Sequence, residues 1–185
     1  MNRRAAQIAE TARLHLRRFR RSDAEAMNAV FGDPKVMRFG SGTRDRDWVA
    51  RWTHRCIQDY QDPTAPAVWA VVKKSSDTVI GYCGLFAFPD ICGHPEVELG
   101  YRLARRFWGR GYATEAARAV RDHAFNILQL PRLISLIDPS NRRSIRVAEK
   151  LGMRYEKEVM LDGYTHPDRV YAIENRRSTG TDDAT

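Results

Sequence analysis

Two hydrophobic periods divide this chain. Over residues 97–103 the apolar positions alternate, with Val97, Leu99, Tyr101 and Leu103 on one face, which predicts a half-buried strand. From Ala113 the spacing lengthens: Ala113, Ala116, Ala117, Val120, Ala124 and Leu128 fall on one stripe of a 3.6-residue helix. The same two patterns recur elsewhere. Residues 14–19 predict an opening strand, and Ser22 with Glu25 predicts a capping box for a helix to about Phe31, broken by Asp33-Pro34. A glycine-rich, charged loop then leads to a helix over 47–61 carrying Trp48, Trp52, Cys56 and Tyr60. Residues 68–73 and 78–88 predict a hairpin around Ser75-Ser76-Asp77, with Trp69, Phe86 and Phe88 in the core or on the sheet face. Beyond Pro131, residues 132–137 predict a strand set parallel to 97–103 by a crossover. A helix over 142–151 stops at Gly152, and residues 153–161 and 169–173 close the sheet. The result is an α/β chain without repeats: a flexible segment 1–12, a single domain 13–173 and a disordered tail 174–185.

Composition narrows the class. At 185 residues, 43% hydrophobic and 29% charged, the chain suits one soluble domain with a core of its own. No apolar run approaches the ~20 residues of a membrane span, and residues 1–13 lack the apolar core of a signal peptide. Cys56, Cys83 and Cys92 form no C-x-x-C pair, which points to reduced thiols in a cytoplasm. The five histidines show no metal-ligand spacing, so no metal is expected; His94, His123 and His166 read as surface or structural residues before catalytic ones. A formal charge of +8 fits an anionic ligand. Whether that basic surface also meets a ribosome or nucleic acid stays open.

The basic turn between strand and helix carries the chemistry. Gly109 and Gly111 let a ligand approach the main chain, Arg105, Arg106 and Arg110 surround it, and the following helix presents unpaired N–H groups and the positive end of its dipole. Neither a P-loop ending nor a three-glycine dinucleotide fingerprint is present, but polyphosphate binding is favoured.

The run Arg106-x-x-Gly109-x-Gly111-Tyr112-Ala113-Thr114-Glu115 resembles the acyl-CoA pyrophosphate loop of the GNAT N-acetyltransferase superfamily. Glu98-Leu99-Gly100-Tyr101 and the stretch from Asp138-Pro139-Ser140-Asn141 through Ser144 to Leu151-Gly152-Met153 are similar to its RimJ/RimL branch, which contains ribosomal-protein N-terminal acetyltransferases. The resemblance implies a twisted, mostly antiparallel sheet flanked by helices, with central strands splayed to admit a pantetheine arm. It implies acetyl-CoA as cosubstrate, held by Leu99, Gly100, Tyr101, Arg102 and Leu103 through main-chain groups, and by Arg106, Trp108, Gly109, Arg110, Gly111, Tyr112, Ala113, Thr114, Asn141 and Ser144. Asn141 and Ser144 equally suit an ordinary helix cap.

Acetyl transfer to an amine needs a base and an acid. Glu98 is the candidate base by that resemblance; its structural alternative is an ion pair with Arg102. Ser144 or Tyr155 would protonate the departing thiolate. Freeing an α-amine of pKa ~7.8 at pH 7 costs about 1 kcal/mol, against about 4.6 for a lysine-like amine at ~10.4, so a modest base suffices for a chain terminus. The acceptor is a protein N-terminus or a small amine such as an amino acid, polyamine or antibiotic. A non-catalytic acyl-CoA-binding module is the alternative, and a homodimer is left open.

Overall fold

One eight-stranded sheet organises the chain. The computed structural model describes residues 7–91 and 93–176. In chain order these form β1 (Gln7–Glu10), β2 (Leu14–Arg17), α1 (Ala24–Phe31), α2 (Arg46–Gln58), β3 (Val68–Lys73), β4 (Thr78–Phe88), β5 (Glu96–Leu103), α3 (Tyr112–Asn126), β6 (Arg132–Ile137), α4 (Arg142–Lys150), β7 (Arg154–Val159) and β8 (Asp168–Glu174). The strand order is β1-β2-β3-β4-β5-β6-β8-β7. Every neighbouring pair is antiparallel except β5 and β6, which run parallel as the crossover through α3 requires.

Alternation along the strands sorts the side chains onto two faces. On one, Tyr82 of β4 packs against Phe31 of α1 and Trp52 of α2. On the other, Trp69 of β3 meets His123 of α3, and Tyr101 of β5 reaches Ser144 of α4. The stripe read in the sequence is the buried side of α3: Ala116, Ala117, Val120 and Ala124 are fully enclosed, with Ala113 and Leu128 packed at its margins. Cys56 and Cys83 are free, buried thiols, and burial pushes Cys56 up to about 12. Cys92 lies outside the described residues. No helix among them is long and apolar enough to cross a membrane.

Several boundaries differ from expectation. Residues 7–10, expected to be flexible, pair with β2 as an added edge strand. Glu174 ends β8, and buried Asn175 donates through its backbone to Pro131 and through its amide to Leu130, so the expected tail begins too early. Residues 1–6 and 177–185 lie outside the described residues. The N-cap position of α1 is held by Asp23, not Ser22, and its side chain turns back to the preceding segment without capping the helix. Its carboxylate accepts the Arg20 N–H at 2.8 Å and both arms of Arg17 at 2.7 and 2.9 Å, a stronger acceptor than a serine hydroxyl.

At the start of the parallel pair Arg132 joins three other strands. Its guanidinium meets Glu96 of β5 at 3.1 Å, Glu156 of β7 at 2.5 Å and Glu174 of β8 at 2.6 Å.

Candidate active site

Past Arg132 the parallel pairing lasts for one bridge, Glu98 with Ile134. A parallel ladder would next bond the Leu136 N–H to the Leu99 carbonyl. Two side chains replace that rung. The Leu136 N–H donates instead to Oε1 of Glu98 at 3.3 Å, and the Leu99 carbonyl accepts the hydroxyl of Ser135 at 2.8 Å. From there the strands part. Leu99, Tyr101 and Leu103 present their main-chain groups to this opening, because alternate residues share an edge. The Leu103 carbonyl accepts the Trp108 indole at 2.7 Å, which leaves Tyr101 as the residue whose amide lies between the two engaged carbonyls.

Glu98 stands at the fork. Burial pushes its carboxyl up to about 7; the Leu136 N–H and the charge of Arg102 oppose that rise, and Asp168 adds to it. The expected pairing with Arg102 is not formed. Arg102 donates to the Tyr82 hydroxyl at 2.9 Å, because Tyr82 is its direct neighbour on β4 whereas Glu98 is two pleat repeats away along the strand. Gly100 lies within an unbroken β4–β5 register that runs from Gly81 to Phe88. Its role is close approach: a Cβ there would meet the Phe86 ring at 3.0 Å.

The loop after β5 has the form the glycines predicted. Gly109 and Gly111 adopt φ of 73° and 79°, and nothing within 4 Å crowds the position a Gly109 Cβ would take. Gly111 caps α3, so the amides that follow open toward solvent beside the exposed Arg106 and Arg110. Arg105 is committed elsewhere, to Asp33 at 2.9 Å. Trp108 is pinned by its indole bond and lies under Arg143, while Tyr112 is buried beneath Arg13. Arg13 also clamps Glu115 with two arms at 2.6 and 2.7 Å, and Thr11 donates to the same carboxylate at 2.6 Å. Burial raises Glu115, but these bonds outweigh it and hold the carboxyl below its ordinary range. The first turn of α3, with Ala113 and Thr114, is thereby fixed against the turn between β1 and β2. These groups fit a diphosphate: open backbone amides, two glycines at positive φ and the exposed guanidinium groups of Arg106 and Arg110, on a rigid helix start.

At the other wall of the opening, Asn141 caps α4 by accepting the Ser144 N–H at 3.2 Å, so the capping role read in the sequence is filled. The Ser144 hydroxyl lies 3.3 Å from that of Tyr101, whose phenol burial pushes up to about 12. Tyr155 is in another place. It sits on edge strand β7, 53% exposed, against Tyr171 and beneath Arg169. Strands β8 and β6 both lie between it and β5, which carries Tyr101. Sequence proximity to Met153 suggested Tyr155; the hydroxyl beside Ser144 is that of Tyr101. Ser135 and Tyr101 were missed as side chains because their partners come from other strands and helices, which no local motif records.

His94 and His123 stay outside the fork. His94 is exposed in the loop before β5, and His123 packs edge-on against Trp69, where burial lowers its pKa. His166 lies near the C-terminal end of β6, with Nε2 3.3 Å from Asp138. No group of three or more candidate metal ligands occurs among the described residues. A groove of about 890 Å³ runs along the outer side of α3 between Ile8 and Ile127. It shares Gly111 and Thr114 with the loop but none of Glu98, Tyr101 or Ser144, so the chemistry belongs to the fork.

Comparison with known proteins gives the family and the fold. The family described as "Acetyltransferase (GNAT) domain" matches residues 13–154. YkkB of Bacillus subtilis is 39% identical over 155 residues, covering 82% of this chain and 86% of its own. A shorter match joins 80 residues to spermidine N(1)-acetyltransferase of Escherichia coli, 33% identical and covering 43% of each chain. Among solved structures, a GNAT-family acetyltransferase from Bacillus anthracis superposes with a TM-score of 0.77 at 26% identity, covering 90% of this chain and 97% of that one.

Proposed function

This chain belongs to the GNAT acetyltransferase family, and from that premise we propose that it moves an acetyl group from acetyl-CoA to a primary amine by direct attack, with Glu98 as base. The observation that carries the proposal is the fork itself: a carboxyl brought near neutrality at the point where two parallel strands separate, beside a glycine-opened helix start. The diphosphate lies on the amides from Gly109 to Thr114 with Arg106 and Arg110 beside it, and the pantetheine arm enters between β5 and β6. The Tyr101 N–H polarises the thioester carbonyl, stabilising negative charge as the nitrogen adds. Glu98 takes the amine proton, directly or through a water. The N–C bond forms, the C–S bond breaks, and the Ser144 and Tyr101 hydroxyl pair returns a proton to the thiolate. Arg102 shapes the acceptor side through Tyr82 and packs its guanidinium against Gly40.

Two acceptor classes compete, a protein α-amine and a small-molecule amine. The second is favoured because Glu98, Asp138 and Asp168 occupy one face of the sheet, a setting that attracts a small cation. The spermidine acetyltransferase match supports the same choice. Release of free CoA thiol in the presence of alkylamines, amino acids and α-amine peptides tests the proposal. Turnover with small amines above that with peptides is expected. Acetyl-CoA binding without turnover on any amine would replace the enzyme with a non-catalytic acyl-CoA-binding module.

A further inference from the structure

One buried carboxylate oxygen on the acceptor face accepts no hydrogen bond. Asp168 opens β8 and is only 7% exposed, yet its Oδ1 meets no hydrogen-bond donor among the described residues. Burying a carboxylate oxygen without a donor is costly, so an unengaged one implies that a donor arrives from outside. The register fixes its surroundings. One position beyond the last β6–β8 pair, Ile137 with Arg169, Asp138 stands opposite Asp168. Two like charges in directly opposed positions repel. Asp138 is already satisfied: Oδ1 accepts the Ser140 N–H and hydroxyl, both at 2.7 Å, and Oδ2 faces His166 Nε2 at 3.3 Å. The other His166 nitrogen stops 3.9 Å short of Asp168 Oδ1.

Asp168 shares its face with Glu98. Ile134, paired with Glu98, lies on β6, and Asp138 follows one residue past its end at the same parity, opposite Asp168, so the alternation carries both to one face. They lie four residues apart, about 13 Å along the strand at ~3.3 Å per residue, and the two carboxyls still act on each other. The cations nearby are engaged. Arg102 turns to Tyr82, and Arg38 acts on Asp138.

We propose that Asp168, framed by Asp138 and His166, binds the distal ammonium of a diamine or polyamine acceptor whose reacting amine sits at Glu98. This rests on the small-amine acceptor reading and gives the acceptor its second charge. An ammonium can donate one of its three N–H groups to Asp168 Oδ1, and the methylene chain passes the partly buried Leu136 that lies between the two carboxyls on that face.

The experiment compares kcat/KM for α,ω-diamines of increasing length with that for n-alkylamines of matched length. Diamines long enough to span the two carboxyls should be preferred by about tenfold or more, the discrimination expected of a charge-assisted hydrogen bond. Asp168→Asn should collapse that ratio, and so should His166→Arg, which brings a cation of its own to the carboxylate at a half-exposed, fold-tolerant position. Equal kcat/KM for diamines and monoamines in the unaltered protein, or a ratio that survives both variants, overturns the subsite while leaving amine acetylation standing. If no amine is turned over, calorimetric titration of diamine into the protein with CoA still decides: binding lost in Asp168→Asn supports the subsite, and binding equal to that of monoamine refutes it.

Discussion

Replacing Glu98 with glutamine tests the base and the burial of its carboxyl in one variant. Glutamine keeps the shape and can still accept the Leu136 N–H, so the perturbation removes an ionisable group and little else. The carboxyl rises from its ordinary value of 4.5 to about 7 because burial disfavours its charged form. A raised acid contributes stability that is complete below the unfolded value and is lost as pH climbs through the folded one. At about 1.4 kcal/mol per tenfold, the loss approaches 3 kcal/mol between pH 4.5 and 7 and stays constant above. Glu98→Gln escapes it. Urea or thermal denaturation should therefore show the two proteins equally stable near pH 4.5 and the variant ahead by up to about 3 kcal/mol at pH 8, on the order of 6 to 12 °C in melting temperature. Activity should move the other way. The wild-type kcat/KM for an alkylamine should rise with an inflexion near pH 7 as Glu98 ionises, and kcat of the variant should fall by about 10²- to 10⁴-fold with KM for acetyl-CoA unchanged. A stability difference that is flat across this range would show that the carboxyl is not buried. Unaltered turnover would remove it as the base.

Two further changes address the cofactor side. Tyr101→Phe and Ser144→Ala should each lower kcat with little effect on KM for either substrate, and the double variant should lose less than the product of the two, since the hydroxyls are one hydrogen-bonded pair; fully multiplicative losses would mean that they act apart. Gly111→Ala forces a side chain into φ 79° with its Cβ 3.4 Å from Arg13, which should cost about 1 to 2 kcal/mol and raise KM for acetyl-CoA several-fold in steady-state assays. An unchanged KM would place the diphosphate elsewhere.

Much of the scaffold is legible because it follows local rules. β3, β4 and β6 have the bounds read from alternation, and Gly152 takes φ 85° just past α4 as a terminating glycine should. The glycine-opened loop is equally local. What escapes the sequence depends on neighbours across strands. β1 is a four-residue strand stabilised by its ladder to β2 and not by a pattern of its own. Arg102 chooses Tyr82 over Glu98 because β4 places that hydroxyl beside it. Tyr155 lies two residues past a recognisable motif yet stands on the edge strand, with β8 and β6 between it and β5. Asp168 belongs to no motif, and its burial and missing donor arise only when β8 returns beside β6.

The four-strand stitch at Arg132 bears on where catalysis can happen. With Glu96 held against β6 two residues before Glu98, and Glu156 and Glu174 tying down the strands beyond, separation of β5 from β6 cannot travel backward past the bridge at Ile134. The crotch of the wedge is therefore a fixed coordinate, and Glu98 sits at it whatever the breadth of the mouth. Molecules of differing girth can spread the outer rims apart, but the depth to which a thioester penetrates is dictated from the tethered end.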